Sequence, residues 1–165
     1  MIDPYIRQYG KRLYGLCLAL CRNSFDADDL YQDTWLKVLR YIGQYRPDLE
    51  FEPWLTAICV NTYRNLLRRA ARSPVIRNLL ETEETQKPLE QIPASESPDY
   101  SSLYTAVDGL PEKLRLAVIL FYFQDMELNA AAKVLGIPPG TMKSRLNSAR
   151  KKLKEALKDE ADLPF

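Results

Sequence analysis

The chain has 165 residues, 46% hydrophobic and 27% charged, close to the averages of a globular protein, which excludes a collagenous or wholly disordered chain. No apolar run reaches the roughly 18 residues of a membrane span, and three cysteines (Cys17, Cys21 and Cys59) are too few for a disulfide scaffold. There is no histidine, which removes histidine acid–base chemistry and most catalytic zinc sites, and the net charge of +1 conceals an uneven distribution.

No charged leader followed by an apolar stretch opens the sequence, so a cytoplasmic location is expected. The first part of the chain carries helical periodicity over about 3–22, 26–43 and 53–72. Gly43 to Glu52 reads as a loop by its Gly43 and Pro47, Pro53 suits a first helical position, and Pro74 ends the helix. The next stretch holds Pro74, Pro88, Pro93 and Pro98 with many Glu and Thr and little to build a core; it reads as a linker, with room for a short helix near Val75–Glu84. Between 75 and 110 only Arg77 and Lys87 oppose Glu81, Glu83, Glu84, Glu90, Glu96, Asp99 and Asp108.

Beyond the linker, Leu114, Ala117, Val118 and Phe121 recur at helical spacing, predicting a helix over about 111–124. A short helix over about 127–135 stops at Gly136, and after Ile137-Pro138-Pro139 a long helix runs from about 139 to 158. A short helix, a Gly-bearing turn and a longer basic helix form the helix-turn-helix pattern. The fold class is therefore all-α: two small helical domains, residues 1–73 and 100–160, joined by a flexible linker at 74–99.

Wound at about 100° per residue, the last helix gathers Met142, Leu146, Ala149, Leu153, Ala156 and Leu157 on one side. Lys143, Asn147, Lys151, Lys154 and Arg150 gather opposite, with Ser144 and Ser148 beside them. Cations neutralise phosphates, and Asn and Lys can bond to base edges in a groove wide enough for a helix. A solvated basic helix end, where Lys and Arg complement the helix dipole, has the same composition. On the helix over 53–72, Asn61, Asn65, Arg68 and Arg72 form one stripe with Trp54 at its start, while Leu55, Cys59, Thr62 and Leu66 can face the core. With Tyr45 and Phe51 in the adjoining loop, this suits single-stranded DNA, whose bases stack on rings or enter pockets. An ordinary polar helix face over core aromatics would look alike.

The run Asp26-Ala27-Asp28-Asp29-Leu30-Tyr31-Gln32-Asp33 puts Asp29, Gln32, Asp33 and Leu36 on one face, opposite Leu30, Thr34, Val38 and Tyr41. This is an acidic first turn favoured by the helix dipole, a docking face for a basic partner, or a Mg²⁺ site. No second acidic cluster completes a two-metal site, and Cys17 and Cys21, one turn apart, read as small core residues. No metal and no cofactor are expected.

That acidic run, with Tyr45-Arg46-Pro47-Asp48, Trp54-Leu55 and Val60-Asn61-Thr62, resembles conserved region two of bacterial sigma factors of the extracytoplasmic-function (ECF) group. Leu110-Pro111-Glu112, Leu135-Gly136-Ile137, Gly140 to Leu146 and Ala149 to Leu153 resemble region four of the same group. The two blocks cover nearly all of the chain outside the linker. The resemblance implies a non-catalytic subunit that binds core RNA polymerase and directs it to promoters, in a cell-envelope or extracellular stress response. Asp28, Asp29, Gln32, Asp33 and Leu36 would dock on the clamp helices of the β′ subunit. Tyr45, Arg46, Asp48, Phe51, Trp54, Asn61, Asn65, Arg68 and Arg72 would hold the non-template strand of the minus-ten element. Thr141, Lys143, Ser144, Arg145, Asn147, Ser148, Arg150 and Lys151 would meet the minus-thirty-five element as duplex, with Lys143, Ser144, Asn147 and Ser148 as readers. Arg145, Arg150 and Lys151 would hold phosphates or pack along the helix. The linker would replace region three beside the β subunit and the RNA exit path. A membrane-anchored anti-sigma factor would hold the chain at the membrane, and no small-molecule substrate is implied.

The sequence departs from that pattern at Glu127 to Ala132, where a Ser or Thr cap is usual, at Pro138-Pro139, and at Asn147 and Ser148, where larger or basic residues are frequent. Fewer base contacts, or a different preferred element, are expected. A free-standing helix-turn-helix regulator stays open beside the sigma reading; it would bind an operator unaided, without the Asp29/Asp33 face. A Mg²⁺-dependent enzyme built on that cluster is disfavoured by the missing Gly-rich phosphate loop and histidine.

Overall fold

The structure is a computed structural model that describes residues 2–72 and 101–157. The chain divides into two compact units, Met1–Pro93 and Ala94–Phe165. Every element among the described residues is helical. The expected linker at 74–99 and the short helix near Val75–Glu84 lie outside the described residues, as do residues 158–160.

The first unit packs three helices: α1 (Asp3–Cys21), α2 (Ser24–Tyr41) and α3 (Phe51–Arg72). On α1, Leu13, Leu16, Cys17 and Leu20 follow helical spacing and are buried; on α2, Leu30, Thr34 and Val38 do the same. Thr34 and Thr62 sit in this interior because each hydroxyl donates to a carbonyl one turn back, Thr34 to Leu30 and Thr62 to Ile58, both at 2.7 Å. Truncating one such buried Leu to Ala costs about 2–5 kcal/mol. A Cβ on Gly10 would come within 2.9 Å of the Tyr31 hydroxyl, so glycine here lets α1 and α2 approach closely. Asn23 starts α2: its Oδ1 accepts from the Asp26 amide at 2.8 Å while its Nδ2 donates to the Asp26 carboxylate at 2.9 Å.

The third helix begins at Phe51, two residues before Pro53. This costs little, since the first amides of a helix have no intrahelical acceptor and Pro53 lacks the proton that would go unused. Leu55, Cys59 and Thr62 are buried as expected, whereas Leu66 is 37% exposed, because the bundle no longer covers the last turns of α3.

The second unit opens with α4 (Ser101–Asp108), which the sequence reading did not anticipate. Leu103, Ala106 and Val107 mark its apolar side, and eight residues are too few to hold a helix alone. Its stability comes from packing in the cluster of Leu110, Val118, Ala149, Leu153 and Leu157. The expected helix over 111–124 is α5 (Glu112–Val118) followed by a wide π turn, Ile119–Phe123, in which the Gln124 amide donates to the Ile119 carbonyl at 2.9 Å. Next comes α6 (Leu128–Leu135), whose N-terminus has no side-chain cap, as its sequence led one to expect. It ends at Gly136, whose φ of 70° is left-handed backbone that glycine adopts without strain. Pro138 and Pro139 then open α7 (Pro139–Ala156), where a missing amide proton is harmless.

Candidate functional site

Three surfaces carry the candidate residues. On α2, Asp29, Gln32 and Leu36 are exposed and Asp33 is half-buried. Phe25 and Leu39, which sequence reasoning missed, extend the same stripe, since positions 25, 29, 32, 36 and 39 fall one turn apart in succession. Phe25 is 73%, Leu36 62% and Leu39 51% exposed, an unusual display of apolar side chains beside carboxylates. Their period of 3.6 could have flagged them, but a sequence does not tell an inward leucine from an outward one. Asp28 stands on the flank of the stripe, where its carboxylate accepts from the Tyr14 hydroxyl at 2.6 Å and ties α2 to α1. Among the described residues no three His, Cys, Asp or Glu side chains gather to hold an ion.

The second surface is the loop before α3 and the outer face of that helix. Tyr45 donates from its hydroxyl to the Leu49 carbonyl at 2.5 Å, and Arg46 pairs with Asp48 at 3.0 Å. Desolvation, helped by the neighbouring Tyr5 and Tyr9 phenols and Asp48, pushes the Tyr45 phenol up, so it stays a neutral donor. Phe51 departs from expectation. It is 4% exposed, stacked on Tyr5 at 4.2 Å and flanked by Tyr9, Tyr45 and Trp54 at 5.0, 5.4 and 5.5 Å. It therefore offers no free face to a base; it is the hub that holds the loop, and enclosure by four rings is the reason. Trp54 is half-buried, its ring 5.0 Å from that of Tyr45. Arg12 reaches across to Glu52 at 2.7 Å and fixes the start of α3 to α1. Asn61, Asn65, Arg68 and Arg72 are all exposed along one stripe, and Arg68 donates to the Asn65 Oδ1 over a long 3.4 Å.

The third surface is α7. Met142, Leu146, Ala149, Leu153 and Leu157 are buried; Ala156, expected among them, is exposed. Lys143, Ser144, Asn147, Ser148 and Lys151 face solvent, with Thr141 and Arg145 half-buried. For Arg150 the expectation is a phosphate contact or packing along the helix. Its Nε donates to the Tyr122 hydroxyl at 2.7 Å and its Nη1 to the Asn147 Oδ1 at 2.8 Å, so it packs along the helix. Beside it lies a cleft of about 310 Å³ lined by Phe121, Leu128, Lys143, Leu146, Asn147 and Arg150.

The cysteines sit in the core of the first unit. Cys17 and Cys59 are buried with sulfurs 3.8 Å apart, and Cys21 is half-buried. The hydrogen bond with Cys59, then burial, push the Cys17 thiol far up, so it stays protonated.

No helix among the described residues is long and apolar enough to cross a membrane. Two family profiles match the chain: Sigma-70 region 2 over residues 5–73 and Sigma-70, region 4 over residues 100–153. The chain is 30% identical to the ECF RNA polymerase sigma factor SigE of Mycolicibacterium smegmatis over 94% of its own length and 61% of that protein's. It is 30% identical to the RNA polymerase sigma-H factor of Pseudomonas aeruginosa, with 94% and 85% covered. It is 32% identical to the ECF RNA polymerase sigma factor SigM of Mycobacterium tuberculosis, with 94% and 76% covered. Among solved structures the fold is similar to the sigma factor RpoE bound to the anti-sigma factor NepR from Bartonella quintana (TM-score 0.78, 23% identity, 98% and 100% covered). It is also similar to CnrH bound to the cytosolic domain of CnrY (TM-score 0.68, 22% identity, 96% and 88% covered).

Proposed function

The chain belongs to the extracytoplasmic-function group of sigma-70 factors, and on that premise we propose how its parts divide the work of initiation. It is an alternative sigma factor, a promoter-specificity subunit with no chemistry of its own; two sigma regions in one chain leave the free-standing regulator without support. Residues 1–73 act as region two, 74–99 as the tether and 100–160 as region four. Region two docks on the β′ clamp helices of core polymerase through Asp29, Gln32, Asp33 and Leu36, with Phe25 and Leu39 widening the contact and Asp28 on its edge. Tyr45, Arg46, Asp48 and Trp54 shape the loop that holds the opened minus-ten strand, over the stripe of Asn61, Asn65, Arg68 and Arg72. Region four enters the minus-thirty-five duplex with Lys143, Ser144, Asn147 and Ser148, while Thr141, Arg145 and Lys151 meet the backbone. A membrane-anchored anti-sigma factor covers these faces until a signal releases them, a partner class suggested by the complexes of the structural relatives.

The observation that carries this reading is that two exposed polar stripes, one on α3 and one on α7, belong to separately packed units of one chain. A protein that must hold two promoter elements at once needs such a pair. The docking face is tested by mixing the chain with sigma-free core polymerase and following co-elution on size exclusion. An Asp29→Ala, Asp33→Ala double variant, shown folded by circular dichroism, is expected to bind roughly tenfold or more weakly, a loss of about 1.4 kcal/mol. Undiminished binding by the folded variant would remove α2 as the docking face.

A further inference from the structure

One side chain on the reading face of α7 is not free to turn. Asn147 is exposed, yet its Oδ1 accepts from Arg150 Nη1 at 2.8 Å. Arg150 is itself fixed, because its Nε donates to the Tyr122 hydroxyl at 2.7 Å and its guanidinium carbon lies 5.7 Å from the centre of that ring. Tyr122 stands in the π turn after α5, packed against the cluster that contains Ala149 and Leu153, with the Phe121 ring edge-on at 5.0 Å. Support thus runs from the core through Tyr122 and Arg150 to the tip of Asn147. On α3 the same i, i+3 pair is loose: Arg68 and Asn65 are both exposed and 3.4 Å apart.

A guanidinium carries donors only, so it meets a carboxamide only through the oxygen. Oδ1 is therefore turned back toward Arg150, and Nδ2 with its two N–H groups points away from it. Turning the amide over would set donor against donor. An Asn that reads adenine accepts from N6 while donating to N7. An Asn whose oxygen is turned back toward Arg150 presents chiefly its N–H groups outward. Guanine answers such a donor with two acceptors, N7 and O6, and thymine with O4; adenine also offers N7, but the N6 amine beside it is a donor that the N–H groups of the amide repel.

We propose that Tyr122 and Arg150 are positioning residues that lock Asn147 as a donor, so that α7 selects a keto base, guanine or thymine, at one position of the minus-thirty-five element. This rests on the reading of α7 as the duplex-reading helix. The cleft beside Asn147 has Phe121, Leu128 and Leu146 in its wall, and a thymine methyl, which guanine lacks, finds apolar contact there.

The test uses holoenzyme made from the full chain and core polymerase, transcribing a promoter library randomised through the minus-thirty-five element, with active templates identified by sequencing. The position in question is the one whose preference collapses in Asn147→Ala. Wild type is expected to favour guanine or thymine over adenine there by roughly tenfold, and the two arms of the library say which. Arg150→Met, and separately Tyr122→Phe as the milder change, are expected to let adenine rise toward parity at that position alone. A wild-type preference for adenine there overturns the proposal. So does an Arg150→Met variant that lowers output evenly for all four bases, the behaviour of a phosphate contact or a packing post. If neither Lys143→Ala nor Asn147→Ala shifts preference at any position, the assignment of α7 as reader falls, and the lock with it.

Discussion

Phe51 shows how one residue can look functional in sequence and prove structural in space. An aromatic beside a polar stripe invites stacking by a base, yet four rings already surround it. Tyr5 and Tyr9, which lie on α1 more than forty positions away, supply half of that enclosure, and no local pattern announces them. Phe51→Ala is expected to destabilise the first unit by about 3–5 kcal/mol, measured by chemical denaturation, because it empties a packed site. A loss of minus-ten recognition with unchanged stability would restore Phe51 to the DNA-contacting set. Cys17 makes a second residue-scale case. Its folded thiol is held above the ordinary value of 9.0 by Cys59 and by burial. As pH rises the unfolded chain loses that proton first, so the folded state binds more protons and loses stability. Stability is expected to be insensitive to this thiol below about pH 8, and to fall through the thiol range by at most about 1.4 kcal/mol per pH unit. Denaturation midpoints of wild type and Cys17→Ala across that range should converge as pH rises; parallel curves would contradict it.

At the scale of the element, helices with a full apolar stripe were legible, because period and burial agree along α1, α2 and α7. What was not legible depends on distant partners. The eight residues of α4 are helical only through the cluster they complete, and the π turn at Ile119–Phe123 widens a helix that the spacing read as regular. The same limit governs the candidate sites. The exposed stripes on α3 and α7 could be read from helical geometry, but that Arg150 turns inward required Tyr122, twenty-eight positions earlier. Exposed residues of α7 are expected to separate by chemistry. Lys143 is exposed early on the helix, where the proposed reading puts base contacts, so Lys143→Ala is expected to change the preferred minus-thirty-five sequence without altering core binding. Lys151, further along, is on the proposed reading a phosphate contact. Lys151→Ala is expected to weaken promoter binding evenly across sequences and to lower the slope of log affinity against log salt by about 1. Salt titrations of holoenzyme on two promoter variants check both, and an unchanged preference in Lys143→Ala would remove it from the readers.

For the molecule as a whole, the net charge of +1 is the sum of opposed regions. Lys143, Arg145, Arg150, Lys151, Lys152, Lys154 and Lys158 face Glu155 alone between 138 and 158, while the stretch from 75 to 110 is acidic. A basic face suits a duplex, and an acidic stretch is repelled by DNA phosphates. Two modest contacts in one chain act together, since binding of the first raises the local concentration of the second. Neither unit then needs to bind tightly by itself, which suits a subunit that must release promoters after initiation. The measurement that bears most directly on this account is in vitro transcription from a library of bacterial promoter fragments by sigma-free core polymerase, with and without the chain. Discrete start sites are expected to appear only when the chain is added, downstream of two shared elements, one opened and one read as duplex. Chain-dependent transcripts that are absent, or that start without regard to sequence although the chain co-elutes with polymerase, would contradict it.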